Sequence, residues 1–507
     1  TDTTCIDSLP RRPPARLPYA RMTPADQTPT TARIAFDAAT SAFGRAGREA
    51  VVTMLAMLAT LGCAMAIDAE PGPAVLAVVL CLSFARSDLD RDLRGRLEAA
   101  VALPIVGLLA TAVGMLLLHA PWLGAFVFVA GMFVSIWLRR FGPMARRAGS
   151  LIALPFVVIL TTPHVPSQRL GPLMAALVPI VVALLALGWV AAFHALARRL
   201  RVLPPAQAAT TTGIAVAPAH ESSLRPIAST RMAIQMAVAL ALSFVVGYTF
   251  FAQRWAWIVL TAFIVNSGNR GRLDVAYKSV LRVLGAAFGT VLALGFSVQL
   301  GSHDGATVAL ILAAVFFGIW LRPLGYAWWA LFVTLALALL QGFEGRSASH
   351  DLGLRLQEIV IGALIGVAAA WLVYPVRSRN VLRRRIADAL AVLGDAFDPA
   401  TPPRTRDEVL AAWAQVAQIA PAFRASRWAA RRGEAAQPAD WIDALHACID
   451  PAIALLEQGA APVEVRRSVG AARKALREPE QLLPALRQLR DCLDQAGYGR
   501  PEHADTA

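Results

Sequence analysis

Apolar and polar positions along this chain separate on a long scale: runs of apolar residues are cut by short breaks that carry arginine, proline or glycine. A bilayer-crossing helix needs roughly 20 mostly apolar residues, about 17 to 25 as a rule, and with that ruler the pattern predicts helical segments near 49–67, 73–85, 99–118, 122–138, 149–162 and 172–196, then near 231–252, 255–266, 279–300, 306–321, 326–341 and 354–374. After Pro375 the pattern becomes that of amphipathic helices. Val381, Ile386, Leu390, Leu393 and Phe397 form a helical stripe, Thr405 to Glu408 is a capping box, and Pro438, Pro451, Pro462 and Pro479 mark further helix starts. The predicted fold is all-α: a polytopic membrane protein with a C-terminal helical domain.

The two membrane halves are related. Ile136-Trp137-Leu138-Arg139 with Phe141-Gly142 recurs 183 residues on as Ile319-Trp320-Leu321-Arg322 with Leu324-Gly325, and the same shift carries the short second segment onto the short eighth. This predicts two repeats of six transmembrane helices, parallel because an even number of crossings separates them. Arg86, Arg91, Arg139, Arg140, Arg198, Arg199, Arg270, Arg272, Lys278, Arg322 and Arg377 fall in one set of loops, whereas the opposite set holds only Arg169, Arg254 and Arg346. Basic residues mark the cytoplasmic side, so both termini are expected there. The expected organisation is a basic, disordered arm over 1–48, a first repeat over 49–197, a cytoplasmic linker over 198–230, a second repeat over 231–375 and a cytoplasmic helical domain over 376–507.

Composition agrees with the segment pattern and excludes several functions. The 507 residues are 57% hydrophobic and 16% charged, with mean hydropathy +0.54, too apolar for a soluble protein of this size. The net charge of +14 comes mainly from arginines at the ends of apolar runs, which is no nucleic-acid face. Residues 1–48 hold no apolar core of a signal peptide. The five cysteines and eight histidines show neither disulfide-framework nor metal-ligand spacing, so no metal is expected. A phosphate-cradling G-x-x-x-x-G-K-S/T loop, a G-x-S-x-G elbow and paired carboxylates on one helix face are missing, so no cofactor and no catalytic residues are expected, and transport would have to draw on a gradient.

Polar groups inside apolar segments then become the candidates. An ionisable side chain at membrane depth costs ~2.5 to 3.5 kcal/mol on insertion scales and usually faces a cavity or partner. Arg282 shares a helix face with Gly285 and Gly289, where small residues admit another helix, so it points into the bundle; the alternative is an arginine that snorkels to headgroups. Glu358 stands likewise with Gly362 and Gly366, about one turn from the outer surface, and would either load a proton from outside or form a structural ion pair with Arg355. Asp274 is the second candidate coupling carboxyl. Short matching helices in two repeats point to a transporter binding site. There Trp255, Trp257 and Phe263 could stack on an aromatic ring, Arg282 take a carboxylate and Asn266 a hydroxyl; the tryptophans would alternatively be interfacial anchors.

Trp255, Trp257, Thr261, Val265 and Asn266, followed by Arg282, Leu284, Gly285 and Gly289, resemble the signature of the fusaric-acid-resistance (FUSC-type) proteins of the aromatic acid exporter family. Where that family usually has Gly-Thr after the arginine, Ala286 follows Gly285 here. The resemblance covers about 49–375. It implies two six-helix membrane halves with soluble cytoplasmic domains in a bacterial inner membrane, proton-driven export of aromatic carboxylic acids, a periplasmic adaptor protein and outer-membrane channel as partners beside membrane lipid, and a dimer as the favoured oligomer. Many relatives carry a large soluble insert between the halves, where this chain has only 198–230. A passive organic-anion channel built on the same arginine is the alternative, and a membrane assembly factor without transport a third reading.

Overall fold

The computed structural model describes residues 28–67, 71–85, 112–141, 172–203, 228–252, 254–297, 305–343, 348–401, 404–430, 437–459 and 461–498, with isolated positions between 105 and 160. The described residues are helices joined by turns. In the membrane part these are α1 (Thr28–Ile67), α2 (Pro71–Phe84), α3 (Pro121–Trp137), α4 (Pro172–Arg199), α5 (Ala228–Phe250), α6 (Trp255–Asn266), α7 (Arg272–Ser297), α8 (Gly305–Leu321), α9 (Tyr326–Phe343) and α10 (Ala348–Leu372). Seven spans are long and apolar enough to cross a membrane, within α1, α3 (continued to Phe141), α4, α5, α7, α8 (to Leu324) and α10; α2, α6 and α9 are shorter apolar helices. Of the expected segments at 99–118 and 149–162, only helical residues 112–119 and isolated positions belong to the described part. At about 1.5 Å per residue α6 spans roughly 18 Å, little more than half of a hydrocarbon core of about 30 Å.

Helix starts depart from the apolar pattern in an instructive way. α1 begins at Thr28, so residues 28–48 of the arm expected to be disordered are helical. Pro29 suits the first helical position, and Ala32, Ala35, Ala38, Ala39 and Ala42 are strong helix formers. α7 likewise begins at Arg272 rather than near 279, with Asp274 in its first turn. Arg282 is therefore the eleventh residue of its helix, about 15 Å along it, not one turn from its end.

Each half packs its short helix the same way. α1 contacts α2 and α4, and α2 contacts α4; α5 contacts α6 and α10, and α6 contacts α10. α3 packs on α5, and α8 packs on α1. The Ile-Trp-Leu-Arg runs both lead into short 3-10 turns, Leu138–Phe141 and Arg322–Leu324. Trp320 Nε1 donates to the Phe43 carbonyl at 3.4 Å and fixes the α8–α1 junction. One apolar core joins α1, α2 and α4 to α7, α8 and α9, another joins α3 to α5 and α6.

Close helix approach rests on glycine. A Cβ at Gly285 would lie 2.7 Å from the Ala327 carbonyl oxygen, and one at Gly289 2.5 Å from that of Leu331, both on α9. On α10, Gly362 and Gly366 face Ile258 and Asn266 of α6 in the same way. The small-residue faces expected on α7 and α10 are thus contact faces.

Beyond the membrane part, α11 (Ser378–Phe397), α12 (Arg406–Ala417), α13 (Ala420–Ala429), α14 (Pro438–His446), α15 (Ile449–Glu457), α16 (Val463–Ala475) and α17 (Pro479–Tyr498) enclose their own core of Leu382, Ile386, Leu390, Leu393, Trp413, Trp441 and Leu486 among others. The Thr405 capping box forms in both directions: Glu408 N donates to Thr405 Oγ1 at 3.3 Å and Thr405 N to Glu408 Oε2 at 3.1 Å. This bundle is stitched to the α6–α7 turn. Leu273 N donates to Ser378 Oγ at 2.9 Å, and Arg270 Nη1 to the Gln418 carbonyl at 3.1 Å. Gln235 of α5 ties the same turn to the end of α10, accepting from Asn269 Nδ2 at 3.1 Å while donating to the Val373 carbonyl at 2.9 Å. Burial in the bundle pushes the Cys448 thiol up to about 12. In a variant keeping Cys448 as its one cysteine, we expect maleimide labelling only when the bundle unfolds; rapid labelling of the folded protein at pH 8 would show this core to be open.

Candidate functional site

The site grows from the packing of α6, α7, α9 and α10. Gly362 and Gly366 let α10 lie against α6, and one turn before Gly362 this brings Glu358 to the N-terminal end of α6. There the carboxylate meets Arg254, the residue that caps α6: Arg254 Nε and Glu358 Oε1 are 3.0 Å apart. A helix N-terminus adds its own positive field to that end. Glu358 is fully buried, with 0% exposure.

Arg355, at 1% exposure, lies flat over Trp257 with its guanidinium carbon 3.8 Å from the ring centroid, and its Nη1 donates to Gln341 Oε1 at 3.4 Å. The expected pair of Glu358 with Arg355 is thus replaced by Glu358 with Arg254, although Arg355 stays within electrostatic reach of the carboxylate. Three residues apart on one helix, the two could have paired locally. The α6–α10 contact supplies a better-placed arginine instead, and Trp257 holds Arg355 by a cation–π contact.

Arg282, at 2% exposure, faces inward as expected, next to the glycines that seat α7 on α9. Its Nε has no hydrogen-bond partner, and no described residue forms an ion pair with it. It lies within electrostatic reach of Arg355 and of the Tyr326 side chain on α9. Arg272 stacks on Trp371 at 4.9 Å, so α7 and α10 run antiparallel, and that register puts Arg282 about level with Gly362, with Arg355 roughly 9 Å further along. Unpaired hydroxyls of Thr261, Tyr326 and Thr334 are buried in the same set of helices.

Among the seven candidates, Trp257 touches Arg355, and Glu358 and Arg282 lie within its electrostatic reach. The others do not. Trp255 packs on Phe244 at 5.3 Å and Tyr248 at 5.4 Å, and Phe263 joins the same core against α3 and α5. Asn266 lies at the far end of α6, buried, its Nδ2 donating to the Ala262 carbonyl at 3.0 Å and its Oδ1 unpaired. Asp274 pairs with Lys278 at 2.8 Å and accepts from the Arg270 amide at 3.2 Å beside the C-terminal bundle. Arg254, Gln341, Tyr326 and Thr261 had not been singled out as site residues in their own right. The polar break before α6 was the signal for Arg254; nothing local marks the others.

Residues 236–369 match the sequence model of a family described as fusaric acid resistance protein-like. Over this segment the chain is similar to that family. No curated protein and no solved structure matches the chain. The segment takes in all of α6 to α9, most of α5 and α10, and with them Arg254, Trp257, Arg282, Arg355 and Glu358. Together with the seven helices long and apolar enough to cross a membrane, the match is that of a multi-pass membrane protein. The matched segment thus carries the whole arginine cluster, while α1 to α4 supply packing partners for it.

Proposed function

We propose that this chain is a secondary transporter of the bacterial inner membrane that exports aromatic carboxylates or related organic anions, driven by the proton gradient, with both termini and the C-terminal bundle in the cytoplasm. The observation that carries this reading is Arg282: a guanidinium in the middle of a membrane-spanning helix, buried, without a hydrogen-bond or ion-pair partner among the described residues. A charge at that depth is expensive unless a ligand or cavity compensates it, and a carboxylate is the complement of a guanidinium fork. The matching contacts of α2 and α6, and the packing of α3 on α5 and of α8 on α1, support a parallel internal repeat. The family resemblance supports the substrate class, the periplasmic adaptor and outer-membrane channel as partners, and a dimer.

Glu358 is the coupling carboxyl in this reading, since the orientation rule puts its end of α6 toward the outside. Protonation would free Arg254 and change the charge of the cluster by one unit. The test is efflux of a labelled hydroxybenzoate from loaded vesicles with and without a proton gradient. Wild type is expected to need the gradient for concentrative efflux, whereas Glu358→Gln should retain only downhill flux. Flux in wild type that follows the anion gradient alone would make this a passive channel, and concentrative efflux by Glu358→Gln would remove the carboxylate from the coupling step.

A further inference from the structure

The charge count at the cluster goes beyond a general anion site. Arg254, Arg282 and Glu358 all lie within electrostatic reach of Arg355, three arginines and one carboxylate in all. The one carboxylate is engaged by Arg254 at 3.0 Å. The charged groups acting on Arg355 are Arg282, Glu358 and Arg254, and no described carboxylate lies in ion-pair contact with either Arg282 or Arg355. Asp274 is committed to Lys278 at 2.8 Å at the other end of α7. Three arginines against one carboxylate leave the cluster with two positive charges in excess, and Nε of each of the two most deeply buried arginines has no hydrogen-bond partner.

A monoanion would leave one of these guanidinium charges buried and uncompensated, the arrangement that low-dielectric surroundings penalise most. Trp257 holds the Arg355 guanidinium by a cation–π contact at 3.8 Å, which leaves its positive charge in place for an anion. We infer that the site takes an organic dianion, with one anionic group on Arg282 and the second on Arg355. This rests on the reading of the cluster as an organic-anion site and specifies its ligand: an aromatic dicarboxylate, or a carboxylate bearing a second ionised group.

The test is calorimetric titration of the purified full-length protein in lipid nanodiscs at pH 7.5 with benzoate, the three isomeric benzenedicarboxylates and uncharged benzamide. One dicarboxylate is expected to bind with 1:1 stoichiometry and about tenfold or more tighter than benzoate, the gain of one further charge-assisted contact. Arg355→Gln should erase that preference while still binding benzoate through Arg282, which also shows that the variant is folded; Arg355→Lys should restore part of it. Arg282→Gln is the reciprocal control should Arg355→Gln fail to fold. Equal affinity for benzoate and every dicarboxylate, or two benzoates bound per chain, would overturn the dianion while keeping the anion site. No binding of any carboxylate by protein with an intact thermal transition would overturn the anion site itself and the dianion with it.

Discussion

Arg282→Met is expected to abolish anion flux while leaving the protein at least as stable as wild type. The two effects have one cause. Arg282 is buried, and its Nε lacks a partner among the described residues, so within the protein it contributes charge rather than a structural bond. Replacing even a paired set of buried charges by apolar side chains of similar volume is often neutral or stabilising, by about 1 to 4 kcal/mol, and an unpaired charge has no partner to lose. Methionine also fills irregular space well. For the transported anion the loss is direct, because a charge-assisted hydrogen bond in a dry site has no substitute there. The measurement is paired: vesicle flux of labelled hydroxybenzoate, and the thermal midpoint of the same preparation. A midpoint well below wild type would make Arg282 a structural residue, and undiminished flux would take it out of the path.

Gly362→Val is expected to have the largest effect on folding. A Cβ at residue 362 would lie 2.5 Å from the Ile258 carbonyl oxygen and 2.9 Å from Thr261 Cβ, and the former is backbone that cannot rotate away. The side chain can be accommodated only if α6 and α10 move apart, which also loosens the 3.0 Å contact of Arg254 with Glu358 and the stacking of Arg355 on Trp257. Overpacking of this kind costs about 1 to 3 kcal/mol or more. Gly295→Val, where nothing lies within 4 Å of the added Cβ, is the control and should behave as wild type. Fluorescence-detected size exclusion after a heating series separates the two. Equal thermal survival of both variants would show that the α6–α10 contact is not the tight interface described.

Hydropathy alone located the apolar helices of the described residues, because crossing a bilayer demands length and apolarity that few other structures require. It located the membrane boundary better than the helix boundary. Arg272 to Lys278 and Thr28 to Arg48 are helical although polar, since backbone hydrogen bonding continues past the point where the apolar run ends. Spacing likewise marked the glycine faces of α7 and α10, because positions three, four and seven apart share one side of a helix. The C-terminal caps and stripe were legible for the same local reason.

Partners distant in sequence were not legible. Trp255 and Trp257 are two residues apart and so point to different sides of α6; only the placement of α5 and α10 decides that one joins an aromatic core and the other carries Arg355. Glu358 and Arg355 looked like a pair because both stand on one helix, yet the ion pair goes to Arg254, brought in by α6. Local pattern and the cost of charge in lipid were enough to mark a membrane-embedded helical protein and to single out Arg282 and Glu358 as candidates. Which charges meet, and which sign stands in excess, only the tertiary structure decided, because electrostatic pairing depends on distances across helices that periodicity does not encode.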